Sequence, residues 1–154
     1  MNILMVCLGN ICRSPLAQGI METKIDKYKI EEAFVDSAGT AEYHVGKRPD
    51  PRSVEIAKKH GIDITNQRAR QFTADDFDKF DKIYAMDSSN LSDITALAKN
   101  KEDLEKVDLL LNTIFPGENK AVPDPYYGGK DGFENVYQMI DAACEKIATT
   151  LISS

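Results

Sequence analysis

Ile3-Leu4-Met5-Val6-Cys7-Leu8-Gly9-Asn10-Ile11-Cys12-Arg13-Ser14-Pro15 is the stretch that decides the fold. It begins as an unbroken apolar run, turns short and polar, and ends at the start of an amphipathic pattern, so it reads as buried strand, tight loop and helix start. Ser followed by Pro predicts the helix N-cap at Ser14 and the first helical position at Pro15. Loop amides and the free N–H groups of the helix start then converge on one point and favour an anion there. Arg13 adds a planar fork of donors suited to two oxygens of a phosphate or carboxylate. The same field favours the thiolate of Cys7, the nucleophilic form of a cysteine.

Downstream, Leu16, Ala17, Ile20, Met21 and Ile25 recur at three and four, which makes one buried helical stripe. Phe34-Val35-Asp36-Ser37-Ala38-Gly39-Thr40 reads as a second strand entering a small-residue loop. Two parallel strands joined by a helix form a right-handed unit whose strands end on one edge, so Ser37 falls beside the Cys7 loop. Asp50-Pro51 predicts another N-cap and first helical position, with Val54, Ile56 and Ala57 inward and Gly61 as the stop. Phe72, Phe77 and Phe80 are expected in the core around a helical turn near Thr73. Lys82 to Met86 is the third strand, and Asp87-Ser88-Ser89 caps a helix carrying Leu91, Ile94, Leu97 and Ala98. Val107 to Leu111 is the fourth strand. A loop of about twenty residues follows, a length that compact domains mostly keep for function. The last helix begins near Gly132 with Phe133, Val136, Ile140, Ala143, Ile147 and Leu151 inward and Cys144 in the core. The expected fold is α/β: a single domain over residues 1–154, a four-stranded parallel twisted sheet with helices on both faces, Rossmann-like, its ligand site off the C-terminal strand edges.

Composition narrows the function. A net charge of −6 argues against a general nucleic-acid or anionic-membrane binder, which draws most of its attraction from a basic surface. No apolar run approaches the roughly 20 residues of a membrane span, and no signal peptide is visible, so a cytoplasmic protein is expected. Cys7, Cys12 and Cys144 form neither a C-x-x-C pair nor an even framework, and His44 and His60 stand far apart. No metal site, cofactor or disulfide framework is expected. His60 reads as a helix C-terminal residue favoured by the dipole, and His44 as an exposed loop residue. The chain has neither G-x-x-x-x-G-K-[ST] nor G-x-G-x-x-G, so its anion loop is of another kind than the nucleotide-binding ones.

A phosphoryl group attacked by a thiolate needs an acid on the opposite side to protonate the departing oxygen. The long loop offers Asp124 in Val122-Pro123-Asp124-Pro125-Tyr126-Tyr127, held between two prolines with two tyrosines after it. Read alone, the same stretch is also a plain Pro-Asp-Pro turn.

Cys7 to Ser14, a C-x5-R-S loop, together with Asp124-Pro125-Tyr126-Tyr127, resembles the low-molecular-weight protein tyrosine phosphatases, whose fold is the phosphatase-I type. Asp36 to Gly39, Pro49 to Arg52, Arg68 to Gln71 and Ala85 to Asp87 fit the same family in the same order, so the resemblance covers essentially the whole chain. It implies hydrolysis of phosphotyrosine and aryl phosphates, with Cys7 as nucleophile forming a phosphocysteine, Arg13 and the loop amides as phosphate clamp, and Asp124 as general acid and then base. Leu8, Gly9, Asn10, Ile11, Cys12 and Ser14 would contact the substrate, with Tyr43, Tyr126 and Tyr127 walling an aromatic ring. Asn10, Ser14 and Ser37 would support the loop, Asn10 in a left-handed conformation and Ser14 donating to the cysteine sulfur or serving as a plain cap. Where many members have His, this chain has Gln67. Cys12 is either the partner of Cys7 in a reversible disulfide or a small residue packed under the loop. A tyrosine-phosphorylated protein is the expected partner, inorganic phosphate the product, and a monomer with at most weak self-association the expected state. An arsenate reductase on the same scaffold, or a phosphate-binding module without turnover, are the competing readings.

Overall fold

The structure, a computed structural model, describes residues 1–125 and 130–153. Its elements run β1 (Asn2–Cys7), α1 (Arg13–Lys27), β2 (Phe34–Gly39), α2 (Pro51–Lys59), α3 (Asp76–Lys79), β3 (Lys82–Ala85), α4 (Ser88–Thr95), α5 (Lys101–Glu105), β4 (Val107–Leu109), a 3₁₀ turn (Leu110–Thr113) and α6 (Lys130–Ser153). The strands form one parallel sheet in the order β2-β1-β3-β4. Reversal of the chain's direction of growth at β1 leaves a crevice at the C-terminal edge between neighbouring loops. There Cys7 pairs with Gly39, and Val6 with both Ala38 and Ala85.

Strand periodicity divides β1 between two cores. Ile3, Met5 and Cys7 face α1, α2 and α6, packing with Leu16, Ile20, Met21, Ala57, Val136 and Ile140. Leu4 and Val6 point the other way, toward Phe72, Phe77, Phe80 and Ile94. Helices therefore cover both faces, and burying each large aliphatic side chain contributes about 1.5–3 kcal/mol before chain entropy is counted. Cys144 is fully enclosed in the first core, and burial pushes its thiol well above the ordinary cysteine range.

Four local expectations change. The helix after the anion loop starts at Arg13, not at Pro15; Cys12 occupies the cap position and no side chain caps it. Ser14 is inside the first turn, where its hydroxyl is used by the loop. Leu97 is 46 % exposed because α4 ends at Thr95, before the stripe reaches it. The fourth strand stops at Leu109 and Leu110–Thr113 coils into a 3₁₀ turn. Helix α5, which has no apolar periodicity, was not expected; Asn100 caps it by accepting from the Asp103 N–H. No helix among the described residues is long and apolar enough to cross a membrane.

Candidate active site

The loop between β1 and α1 is shaped from behind. Asn10 lies at φ 56°, the left-handed region that asparagine tolerates better than most side chains. Its side chain is 2 % exposed and uses both ends. Nδ2 donates to Ser14 Oγ over 2.8 Å and to Ser37 Oγ over 3.0 Å, and Oδ1 accepts the Arg70 N–H over 3.0 Å. Gly39 touches the loop backbone so closely that a Cβ there would lie 2.8 Å from Leu8 O and 3.0 Å from Asn10 N. Thr40 N–H and Ala41 N–H donate to Cys7 O and Leu8 O, and Asp50 N–H to Ile11 O. The segment from Ala41 to Asp50 is thus fastened to the loop at both ends.

Gln67 enters this support indirectly. Ser37 Oγ donates to Gln18 Oε1 over 2.6 Å, whereas Gln67 Oε1 is 3.5 Å away. Gln67 instead donates from Nε2 to Pro15 O over 2.9 Å, tying it to the first turn of α1. The neutral amide of Gln18 accepts the Ser37 hydrogen bond, so the hydroxyl behind the loop has its partner without an imidazole.

On the front, Cys7 Sγ lies 3.0 Å from Ser14 Oγ. Ser14 already accepts from Asn10, and its other acceptor in reach, Ala38 O, is 3.4 Å away. Either atom can donate in this contact, and once Cys7 is a thiolate the proton comes from Ser14. Arg13, 3 % exposed, donates twice from Nη1, to Asp87 Oδ2 over 2.7 Å and to Val122 O over 2.8 Å. Both bonds fix one corner of the guanidinium and leave its Nε–Nη2 edge, the two-pronged one, for an oxyanion. Val122 also donates its N–H to Met86 O over 2.8 Å, which places the chain two residues before Asp124 against the end of β3.

Cys7, Leu8, Gly9, Ile11, Cys12, Arg13, Tyr43, His44 and Asp124 line one cleft of about 300 Å³. Most of the residues predicted from the sequence come together there, Tyr43 with three quarters of its surface exposed. Asn10 and Ser14 do not line the cleft; both are buried behind it, as is Ser37. Tyr126 and Tyr127 lie outside the described residues. Burial first, then the charges of Asp50, Cys7 and Asp124, push the Cys12 thiol up to about 12, so Cys12 is uncharged at neutral pH beside its nucleophilic neighbour. His44, expected as a plain loop residue, lines the cleft with its ring over Gly9, where a Cβ would meet Cδ2 at 2.9 Å. Asp87, read only as a helix cap, both caps α4 through the Asn90 N–H and pairs with Arg13. Its position directly after the β3 edge was the available signal.

A parallel sheet that holds a thiol and a half-engaged arginine in one oxyanion loop off its first strand defines a cysteine-based phosphohydrolase class. The chain belongs to the family described as low molecular weight phosphotyrosine protein phosphatase, whose model matches residues 2–154. The phosphatase of that name from Schizosaccharomyces pombe is 48% identical over 143 residues, covering 91% of this chain and 90% of that protein. The human protein of the same name is 40% identical, with 93% and 90% covered. Among solved structures, a protein tyrosine phosphatase from Entamoeba histolytica with Hepes in its active site superposes with a TM-score of 0.92 at 35% identity, covering 99% of this chain and 97% of that one. A Drosophila arginine phosphatase is also similar, with a TM-score of 0.90, 36% identity and 97% of each chain covered.

Proposed function

We propose that residues 1–154 form one phosphatase domain in which Cys7, Arg13 and Asp124 hydrolyse phosphotyrosine in proteins, and aryl phosphates, through a phosphocysteine. The observation that carries this is the cleft itself, which Cys7, Arg13 and Asp124 line together. In the first step Cys7 Sγ forms a bond to phosphorus as the P–O bond to the phenol breaks. Asp124 gives its proton to the departing oxygen, and Arg13 with the loop amides from Leu8 to Cys12 holds the three non-bridging oxygens. In the second, Asp124 takes a proton from water as it attacks phosphorus. The S–P bond breaks, and Ser14 Oγ stabilises the leaving thiolate. Leu8, Ile11, Tyr43 and, by sequence, Tyr126 and Tyr127 wall the ring, so a phenyl phosphate reaches the sulfur where shorter phosphoserine is held short of it.

The enclosed Cys144 speaks against an arsenate reductase that relays a disulfide through further cysteines, since its thiol is buried in the core with Sγ 3.9 Å from Ala17 O. A monomeric protein of the cytoplasm acting without metal or cofactor fits this reading, as does a surface of net charge −6 with no nucleic-acid or membrane partner. The deciding experiment mixes the protein with p-nitrophenyl phosphate, quenches it, and measures the mass of the Cys7 peptide. A phosphorylated Cys7, lost in Cys7→Ser with phosphate binding retained, is expected. Turnover is then compared for phosphotyrosine, phosphoserine and phosphoarginine peptides; absence of trapped phosphocysteine, or preference for either of the latter two, overturns the assignment.

A further inference from the structure

Beside the end of β2 lies a half-buried ion cluster of Asp36, Arg70 and Asp76 that the reaction as written does not use. Asp76 heads α3 and is 2 % exposed. Its Oδ1 and Oδ2 each accept from Arg70, from Nη2 and Nη1 at 3.1 Å, and Oδ2 also accepts the Thr73 N–H at 2.9 Å. Arg70 Nε donates to Asp36 Oδ2 at 3.1 Å. All three guanidinium nitrogens are thereby engaged, and a two-pronged pair of this kind fixes orientation as well as charge. The backbone of Arg70 is held equally firmly. Its carbonyl accepts the Gly39 N–H at 2.9 Å, and Phe72 N–H donates to Gly39 O at 2.7 Å, so residues 70–72 run alongside the end of β2. What this clamp presents to the phosphate loop is the Arg70 N–H, donated to Asn10 Oδ1.

We infer that Arg70 and Asp76 are positioning residues for the phosphate loop, acting through Asn10. Asn10 occupies a left-handed backbone conformation that its surroundings must hold. Two of its three side-chain bonds go to the Ser14 and Ser37 hydroxyls, which belong to the network behind the loop. The third goes to the Arg70 N–H, whose place is set jointly by the backbone bonds to Gly39 and by the Asp76–Arg70 fork. Loosening that fork lets Asn10 turn, which moves the loop amides and releases Ser14 from its orientation toward Cys7. The loss therefore appears in oxyanion affinity and in turnover, not only in stability.

The inference rests on the loop being the oxyanion site, and hydrolysis of p-nitrophenyl phosphate by the unmodified protein is the control for that. If the unmodified protein does not turn over, the functional reading has failed; if it does, the variants test the clamp alone. Asp76→Asn is expected to raise the inhibition constant of inorganic phosphate and lower kcat, each by about tenfold or more. Asp78→Asn, on the same short helix but 70 % exposed and paired with Lys99, is the comparison that leaves both unchanged. Arg70→Lys, which keeps the charge and the N–H to Asn10 but not the fork, should fall between the unmodified protein and Arg70→Met. In an Asn10→Ala background Asp76→Asn should weaken phosphate binding no further, because both changes break one path. A lowered Tm for Asp76→Asn with unchanged kcat and phosphate inhibition would reduce the cluster to a structural ion pair. Independent, multiplying effects in the double variant would overturn the route through Asn10.

Discussion

Arg13 Nη1 donates to Asp87 Oδ2 over 2.7 Å, joining the foot of the phosphate loop to the start of α4 across 74 residues of sequence. The two side chains are 4% and 25% exposed, so the contact is largely shielded from water and the guanidinium depends on it. Asp87 has a second task, since its Oδ1 accepts the Asn90 N–H at the first turn of α4. Asparagine caps helices as well as aspartate does, which allows the two tasks to be separated. Asp87→Asn should retain the cap yet lose the charge opposite Arg13, raising KM for p-nitrophenyl phosphate and the inhibition constant of phosphate. Asp87→Ala should show the same kinetic defect and lose about 1 kcal/mol more in denaturant unfolding. Kinetics of Asp87→Asn matching the unmodified protein would show that Val122 O alone suffices to hold Arg13.

Ser14 predicts a defect confined to one step. With its proton donated to the Cys7 thiolate, it stabilises negative charge on sulfur, which is greatest when the thiolate leaves phosphorus. A hydrogen bond to a charged atom contributes about 1.5–3 kcal/mol, roughly a ten- to hundredfold rate effect. Ser14→Ala should therefore accumulate phosphocysteine, seen as a burst of p-nitrophenol followed by slow steady turnover. A uniform slowing without a burst would place the role of Ser14 in the first step or in loop geometry instead.

Gly39 is a third control point, and it acts by contact. An alanine Cβ there meets Leu8 O, Gly9 C and Asn10 N at 2.8–3.0 Å, all backbone atoms that cannot swing aside. Overpacking of this kind costs about 1–3 kcal/mol, and a shift of roughly 1 Å in a catalytic loop can cost a hundredfold in rate. Gly39→Ala should lose far more kcat/KM than its fall in Tm suggests. Equal turnover by the variant would mean that the loop yields without consequence.

The sheet was legible because β1 is an apolar run ending in Cys7 and β2 and β3 end in Gly39 and Ala85, while β4, which ends at Leu109, was read two residues too long; the longer helices were legible because their stripes recur at three and four. The front of the site was legible for the same reason: Cys7, Arg13 and the loop between them are consecutive, and Asp124 sits in a marked Pro-Asp-Pro stretch. Ser14 misled locally. Its type and place fit an N-cap, yet Arg13 is already helical and the hydroxyl is worth more to the buried sulfur and amide than to a helix end reached by water. Leu97 continued a stripe past the residue where the helix stops. Asp87, His44 and the Arg70–Asp76 fork were not read as site components because each acts on a part of the loop distant in sequence; only Asp87, directly after the β3 edge, carried a positional signal.

Asp50 makes the last prediction, one of pH. It caps α2 by accepting the Arg52 N–H at 2.8 Å, takes two further bonds from the Arg52 side chain at 3.1 Å, and donates its own N–H to Ile11 O in the phosphate loop. Burial opposes the charge on its carboxyl, but the Arg52 guanidinium and N–H outweigh that and hold it below the usual carboxylate range. A carboxyl with a folded-state pKa below its unfolded one contributes stability that is present above the unfolded value, near 4, and disappears as pH falls through the folded value. Asp50→Asn keeps a capping oxygen but removes this charge. The difference in Tm between the unmodified protein and the variant should be widest around neutral pH and close as the solution is taken below about pH 4. Thermal unfolding of both proteins across that range measures it directly; a difference that stays constant with pH would show that the charge on Asp50 contributes nothing beyond the cap.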